Sequence, residues 1–122
     1  MSKEPIIETD RLILRPITLD DAKACFSWNS DGRVTKYMSY STLTDISQTI
    51  DWIKSTLVDE NEWNWAFVLK NENKVIGTGS IGPDAHMKDY WGIGYNLHYD
   101  YWHKGYCTEA MKAIIDFAYK KL

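Results

Sequence analysis

The chain has little of what marks a secreted, membrane-spanning or metal-binding protein. It contains only two cysteines, Cys25 and Cys107, which lie far apart and do not suggest a disulfide framework. No apolar run approaches membrane-spanning length and no signal-peptide pattern opens the sequence, so we expect a cytoplasmic protein with no membrane partner. We expect no metal site either, because His86, His98, His103 and the cysteines lack ligand spacing.

Positive charge is also scarce. The sequence has 14 Lys and Arg residues against 17 Asp and Glu residues, and its net charge of −3 gives a nucleic-acid partner no electrostatic support. Its 122 residues suit one domain, which we place over residues 1–122. Aromatic residues, in contrast, are abundant: six Trp and eight Tyr. Such side chains most often fill a core, but they also line ligand clefts.

Residue patterning predicts an α+β domain with about four strands and three main helices. The strands are expected at residues 11–15, 64–70, 74–81 and 91–97. The helices are expected to begin at Thr18, near Thr44 and at Thr108. A short helical turn is expected at residues 34–38.

The stretch 94–111 is predicted to form a strand, a glycine-containing loop and the first turn of a helix. Backbone N–H groups at a helix start have no partner within the helix, and together with the helix dipole they form a seat for phosphate. Lys104 adds a positive charge beside this seat, and the Thr108 hydroxyl can cap the helix or bind the anion. An ordinary strand-to-helix turn explains the same pattern equally well.

This stretch closely resembles motif A of the GCN5-related N-acetyltransferases (GNAT), in the branch that includes the ribosomal-protein alanine acetyltransferases. The matching residues are Gly94, Tyr95, Leu97, His98, Trp102, Lys104, Gly105, Tyr106, Thr108, Glu109 and Ala110. Two positions depart from the motif: His103 replaces the usual glycine, and Cys107 replaces alanine or glycine. The segments 8–12 and 14–16 also resemble the opening of this branch.

The resemblance implies a three-layer α/β/α fold around a mixed, mostly antiparallel sheet. It covers the N-terminal part of the family's domain, through the motif A helix, and implies that the C-terminal strands are missing. The outer edge of the strand at 91–97 would then be exposed beside the bare face formed by Gly92 and Gly94. A second copy of the chain, in a homodimer, is one way to cover this edge.

The function implied by the resemblance is transfer of an acetyl group from acetyl-coenzyme A to a primary amine, either a protein N-terminus or a small amine, by direct attack. Three substrate-binding residues are implied: Trp28, Tyr37 and Met38. The implied cofactor-binding residues are Asn96, Leu97, His98, His103, Lys104, Gly105, Tyr106, Cys107 and Thr108. Among them, residues 103–108 would hold the pyrophosphate, and a backbone N–H near Asn96 or Leu97 would stabilise the oxyanion.

No catalytic residue can be named from the sequence. Gly92 stands where the family often carries a glutamate base, and Tyr95 and His98 are the stand-ins nearby. Two other functions remain open. The chain is alternatively an inactive, truncated module for coenzyme A binding or dimerisation, or a cysteine hydrolase in which Cys107 is the nucleophile with His98 or His103 as its base.

Overall fold

The structure, a computed structural model, describes residues 3–38, 40–83 and 91–121. Five strands form one sheet in the order β1-β2-β3-β4-β5, and every neighbouring pair is antiparallel. The strands are β1 (Ile7–Glu8), β2 (Leu12–Pro16), β3 (Trp63–Leu69), β4 (Lys74–Pro83) and β5 (Trp91–Leu97). The helices are α1 (Ala22–Asn29), α2 (Gly32–Thr35), α3 (Ile46–Val58) and α4 (Tyr106–Lys121). Within the described residues, no helix combines the length and apolar character that a membrane span requires.

Helices cover both faces of the sheet, which confirms the predicted three-layer α+β class. On one face α4 packs its apolar stripe, including Ala110 and Ile114, against buried side chains of β2, β3 and β5. On the other face α1 and α3 enclose a second core around Cys25, Trp28 and Ile53. The alternation of side chains along each strand produces this division.

Two short elements exceed the predicted count of about four strands and three helices. The strand β1 has only two residues, too few to produce a periodic signal. The four-residue helix α2 begins just after Asp31, whose side chain accepts a hydrogen bond from the Arg33 N–H. A helical turn was expected at residues 34–38, so α2 begins two residues earlier and ends three residues earlier than predicted. The described sheet is also wholly antiparallel, where a mixed sheet was expected.

The glycines of β4 make room for neighbouring groups. The register between β3 and β4 shifts between Phe67 and Val68, which marks a β-bulge. A Cβ atom at Gly79 would lie only 2.5 Å from the Phe67 ring, and one at Gly77 would overlap the Asn96 carbonyl oxygen. The space beside Gly77 and Gly79 is thus occupied by the Phe67 ring and the backbone of β5.

A compact connection leads from β5 to α4. It contains a single 3-10 turn, Tyr99–Tyr101, followed by Trp102. The indole N–H of Trp102 donates to the Leu97 carbonyl oxygen at 2.8 Å, which folds the connection back against the end of β5. The end of β5 and the first turn of α4 are therefore close together, although eight residues separate the two elements.

Candidate functional site

A cavity of about 410 Å³ lies where β5 ends and α4 begins. Six of the predicted cofactor-binding residues line it: Leu97, His103, Gly105, Tyr106, Cys107 and Thr108. Tyr37 and Met38, two of the three predicted substrate-binding residues, line it as well. Tyr95, Tyr101 and Trp102 line it too, and the Tyr95 side chain, on the α4 side of the sheet, remains 50% exposed.

The outer edge of β5 presents backbone groups to this cavity. The His98 N–H donates to the Ile76 carbonyl oxygen at 2.8 Å, on the β4 side. Because backbone direction alternates along an antiparallel strand, the N–H of Asn96 also points towards β4, and those of Leu97 and Tyr95 point outwards. No described strand pairs with this outer edge. Of the two oxyanion donors expected from the sequence, the Leu97 N–H is therefore the available one.

The start of α4 offers a second set of free donors. The first hydrogen bond of the helix runs from the Glu109 N–H to the Gly105 carbonyl oxygen, at 3.0 Å. Across the described part of the chain, no group accepts a hydrogen bond from the N–H groups of residues 106–108. Gly105 has φ +82°, and His103 has φ +63°, so two residues of the loop adopt the left-handed conformation. These conformations bring the chain sharply into α4, beside the cavity that residues 106–108 line.

Three predicted cofactor-binding residues, Asn96, His98 and Lys104, do not line this cavity. The His98 Nδ1 atom accepts a hydrogen bond from the Asp100 N–H at 3.2 Å, and its ring lies edge-on to Tyr101. The Lys104 carbonyl oxygen accepts a hydrogen bond from Arg11, while its side chain is exposed. Lys104 therefore remains able to approach an anion only through movement of its flexible side chain.

A second, smaller cavity of about 190 Å³ continues from the first across the edge of β5. The two share Met38 and Tyr95. The polar side chains that line the second cavity come from four separate parts of the chain: Tyr40, Glu62, Asn64, Thr78, Ser80 and Asn96. Asn96, predicted to bind the cofactor, is thus placed here. Sequence reasoning missed the other five. Three of them, Asn64, Thr78 and Ser80, were visible only as polar residues within the strands β3 and β4. Tyr40 and Glu62 lie outside these strands and gave no signal.

Tyr40 lines this second cavity and bonds to two neighbouring amide side chains. Its hydroxyl lies 2.7 Å from the Asn29 Oδ1 atom and 2.8 Å from the Asn96 Oδ1 atom. Burial raises the pKa of Tyr40 to about 12, so its hydroxyl keeps its proton at neutral pH. A single hydroxyl donates only one hydrogen bond, so one of the two amides must present its NH₂ group to the Tyr40 oxygen instead.

Two residues singled out by the sequence have environments that argue for packing rather than chemistry. Trp28 is 1% exposed in the core between α1 and α3, and it lines neither of these cavities. Cys107 lines the larger cavity, but burial raises the pKa of its thiol to about 11. A nucleophilic cysteine requires a thiolate, and therefore a lowered pKa. The cysteine-hydrolase alternative thus gains no support at Cys107.

Comparisons with known proteins agree with this geometry. The family model of the GNAT acetyltransferase domain matches residues 11–122. The N-acetyltransferase p20 of Bacillus licheniformis is 35% identical over 117 residues, which cover 93% of this chain and 66% of that protein. Among solved structures, a GNAT-family acetyltransferase from Bacillus anthracis superposes with a TM-score of 0.79 at 24% identity, covering 96% of this chain and 68% of that one.

A ribosomal L7/L12 alpha-N-protein acetyltransferase, solved in complex with coenzyme A, superposes with a TM-score of 0.76 at 15% identity. That match covers 96% of this chain and 70% of the other. The chain thus spans 66% of the p20 protein and somewhat more of each of these two structures. The resemblance stated from the sequence is confirmed: this chain belongs to the GNAT acetyltransferases, a family of acyl-CoA N-acyltransferases whose cofactor is acetyl-coenzyme A.

Proposed function

We propose that this chain transfers an acetyl group from acetyl-coenzyme A to a primary amine by direct attack of the amine on the thioester. The observation that carries the proposal is the meeting of two sets of unpaired backbone N–H groups at one cavity. The outer edge of β5 supplies the N–H groups of Tyr95 and Leu97, and the start of α4 supplies those of residues 106–108. Both sets suit a long ligand with an anionic end and an amide-rich arm.

The roles follow from the chemistry of each group. The N–H groups of residues 106–108, at the positive end of the α4 dipole, would hold the pyrophosphate, with Lys104 nearby. The free edge of β5 would pair with the amide-containing arm in the manner of an added strand. The Leu97 N–H would donate to the thioester oxygen as negative charge develops on it. Acetyl-coenzyme A supplies the activated acetyl group.

The second cavity is the proposed place of the acceptor. It adjoins the first at Met38 and Tyr95, and its lining includes the Glu62 carboxylate and the Asn64 amide. A carboxylate attracts an ammonium group, so this lining favours an amine acceptor, either a protein N-terminus or a small amine. Tyr37 and Met38 would form the wall between the two ligands. We assign no base, because Gly92 has no side chain at the position where the family often has glutamate.

The proposal is tested with the purified chain in two steps. Calorimetric titration with coenzyme A measures binding, and release of free thiol from acetyl-coenzyme A measures turnover with small amines, polyamines and peptides that have free N-termini. Gly105→Val is expected to weaken coenzyme A binding about tenfold or more, because valine is strained at φ +82° and its Cβ would lie 3.3 Å from Arg11 Nη2.

The matched control is Gly32→Ala, since a Cβ at Gly32 approaches its nearest neighbour, Thr42 Oγ1, no closer than 4.0 Å. This variant is expected to bind coenzyme A like the wild type. No binding by the wild type at millimolar coenzyme A would refute the proposed cofactor site. Unchanged affinity in Gly105→Val would refute the assignment of the pyrophosphate to the start of α4.

A second candidate function is supported by Gly92, which cannot act as a base. The chain would then bind coenzyme A without turnover, or would dimerise through the outer edge of β5. Coenzyme A binding with no thiol release for any amine would support the inactive module over the enzyme. Sedimentation with and without coenzyme A tests the homodimer: if a second copy covers the outer edge of β5, the ligand should compete with dimerisation.

A further inference from the structure

Residues nearly one hundred positions apart meet at the start of α4. The Glu109 carboxylate accepts hydrogen bonds from the Thr9 hydroxyl at 2.5 Å, from the Arg11 N–H at 2.8 Å and from Arg11 Nε at 2.7 Å. The turn between β1 and β2 is thereby attached to the first turn of α4. All three bonds converge on one carboxylate, so the position of Arg11 relative to the helix is tightly determined.

From this position the Arg11 guanidinium contacts Lys104 and Tyr106 and lies beside Gly105, at the junction of the loop and α4. Its Nη1 atom donates to the Lys104 carbonyl oxygen at 3.0 Å. Its plane lies against the Tyr106 ring, 4.3 Å from the ring centroid. Its Nη2 atom lies 3.3 Å from the place a Cβ of Gly105 would occupy. These contacts surround the part of the loop that carries the left-handed conformations.

Left-handed backbone persists at a non-glycine residue only when its surroundings enforce it. His103 and Gly105, on either side of Lys104, both have positive φ. The hydrogen bond from Arg11 to the Lys104 carbonyl group fixes the peptide between them, and the stacked Tyr106 ring fixes the residue that follows. A planar guanidinium with several donors makes all these contacts at once, which the single ammonium group of a lysine does not.

We propose that Arg11 is a positioning residue that holds the loop at residues 103–106 in the conformation that presents the α4 N–H groups to a phosphate, and that Glu109 holds Arg11 in place. The inference rests on the proposed function. It explains why the opening segment and the motif A segment act as one unit. The Arg11 side chain is 44% exposed, and exposed ion pairs add little to folding stability, so its main effect falls on the ligand.

The test compares Arg11→Ala, Arg11→Lys and Glu109→Gln with the wild type. Calorimetry would measure the Kd of coenzyme A, of adenosine 3′-phosphate 5′-diphosphate, which carries the nucleotide and its phosphates without the pantetheine arm, and of pantetheine, which carries no phosphate. All three variants are expected to bind the two phosphate ligands about tenfold more weakly and to bind pantetheine within about twofold of the wild type, because only the phosphate seat is disturbed.

Arg33 provides a matched control. It pairs with Asp31 at 2.7 Å and its guanidinium lies 4.0 Å from the Tyr99 ring centroid, so it repeats the ion pair and the stacking outside the loop. Arg33→Ala is expected to leave the affinity for coenzyme A unchanged. Thermal unfolding of every variant, followed by circular dichroism, separates loss of fold from loss of loop geometry.

Each outcome decides a different point. If the wild type binds no coenzyme A, the proposed function fails and this inference fails with it. If the wild type binds but Arg11→Lys and Glu109→Gln bind equally well, only the positioning role is overturned. If Arg11→Lys restores what Arg11→Ala loses, or Glu109→Gln binds phosphate more tightly, Arg11 acts as a simple cation and the positioning role is again overturned. Should Arg11→Ala fail to fold, Arg11→Lys and Glu109→Gln still decide the question.

Discussion

Replacing His103 by glycine should stabilise the protein, although the residue lies in the loop that we propose binds the cofactor. His103 has φ +63°, a conformation in which the Cβ of an L-residue crowds the following carbonyl oxygen. The usual motif has glycine at this position, and glycine pays no such penalty. The wild-type chain therefore carries backbone strain at His103 that the substitution removes.

The magnitude follows from two opposing effects. Relief of left-handed strain contributes about 1–2 kcal/mol. Glycine also increases the entropy of the unfolded chain, which lowers the free energy of unfolding by about 0.5–1 kcal/mol. The imidazole is exposed and contacts the Trp102 ring only edge-on, with the ring centroids 6.4 Å apart, so its removal costs little. We expect the free energy of unfolding to rise by about 0.5–1 kcal/mol, and Tm by about 2–5 °C.

Urea unfolding followed by tryptophan fluorescence measures this change, provided that the m-value stays the same. Asn73→Gly is the matched control, because Asn73 is the other non-glycine residue of the described chain with positive φ, at 48°, and lies in the β3–β4 turn. Asparagine tolerates this conformation better than histidine does, so the control should change stability less. A His103→Gly variant less stable than the wild type by 0.5 kcal/mol or more, on the order of ordinary surface effects, would show that the side chain outweighs the strain.

Three further predictions concern the core, an ion pair and a thiol. Gly79→Ala should destabilise the fold by about 1–3 kcal/mol in urea unfolding, because its methyl group would press on the Phe67 ring. Burial opposes ionisation of Asp21, but hydrogen bonds from Arg15 and Thr18 outweigh it and lower its pKa. Asp21→Asn should therefore lower the free energy of unfolding by about 1.5–3 kcal/mol at pH 7. The difference between the variant and the wild type should shrink as the pH falls through that lowered pKa, since a protonated Asp21 loses the same bonds. Cys107 should react with iodoacetamide at pH 8 about 100-fold more slowly than an unperturbed thiol, because its pKa is raised from 9.0 to about 11; a rate equal to that of glutathione would contradict this.

Local signals in the sequence predicted the main elements well. The helix α3 was expected from its apolar stripe and the polar residues before it. The structure begins it at Ile46, directly after Asp45, whose side chain accepts a hydrogen bond from the Ser47 N–H at 2.8 Å. Such signals lie within a few residues of one another. Arg11 and Glu109, in contrast, lie 98 positions apart in the sequence. Both segments were recognisable separately, but only the packing of β2 against α4 brings them together.

The sequence also did not show that the three predicted substrate-binding residues would occupy different environments. Trp28, Tyr37 and Met38 were expected to share one role, yet Trp28 is buried with Cys25, three residues earlier on the inner side of α1. Tyr37 and Met38 follow α2, where no periodicity indicates which side chains face a cavity.

The choice of Leu97 over Asn96 as the proposed oxyanion donor shows why the topology had to be known. Along a strand, the direction of the side chain and the direction of the N–H group alternate together. The residues that turn their side chains towards α4, Tyr95 and Leu97, must therefore direct their N–H groups to one common edge. The sequence displayed this alternation but not which edge would meet β4. The hydrogen bond from the His98 N–H to the Ile76 carbonyl oxygen, together with the register with β4, identifies the edge that meets β4. Because the side chains of Tyr95 and Leu97 lie on the α4 side, their N–H groups point to the opposite edge, beside the cavity.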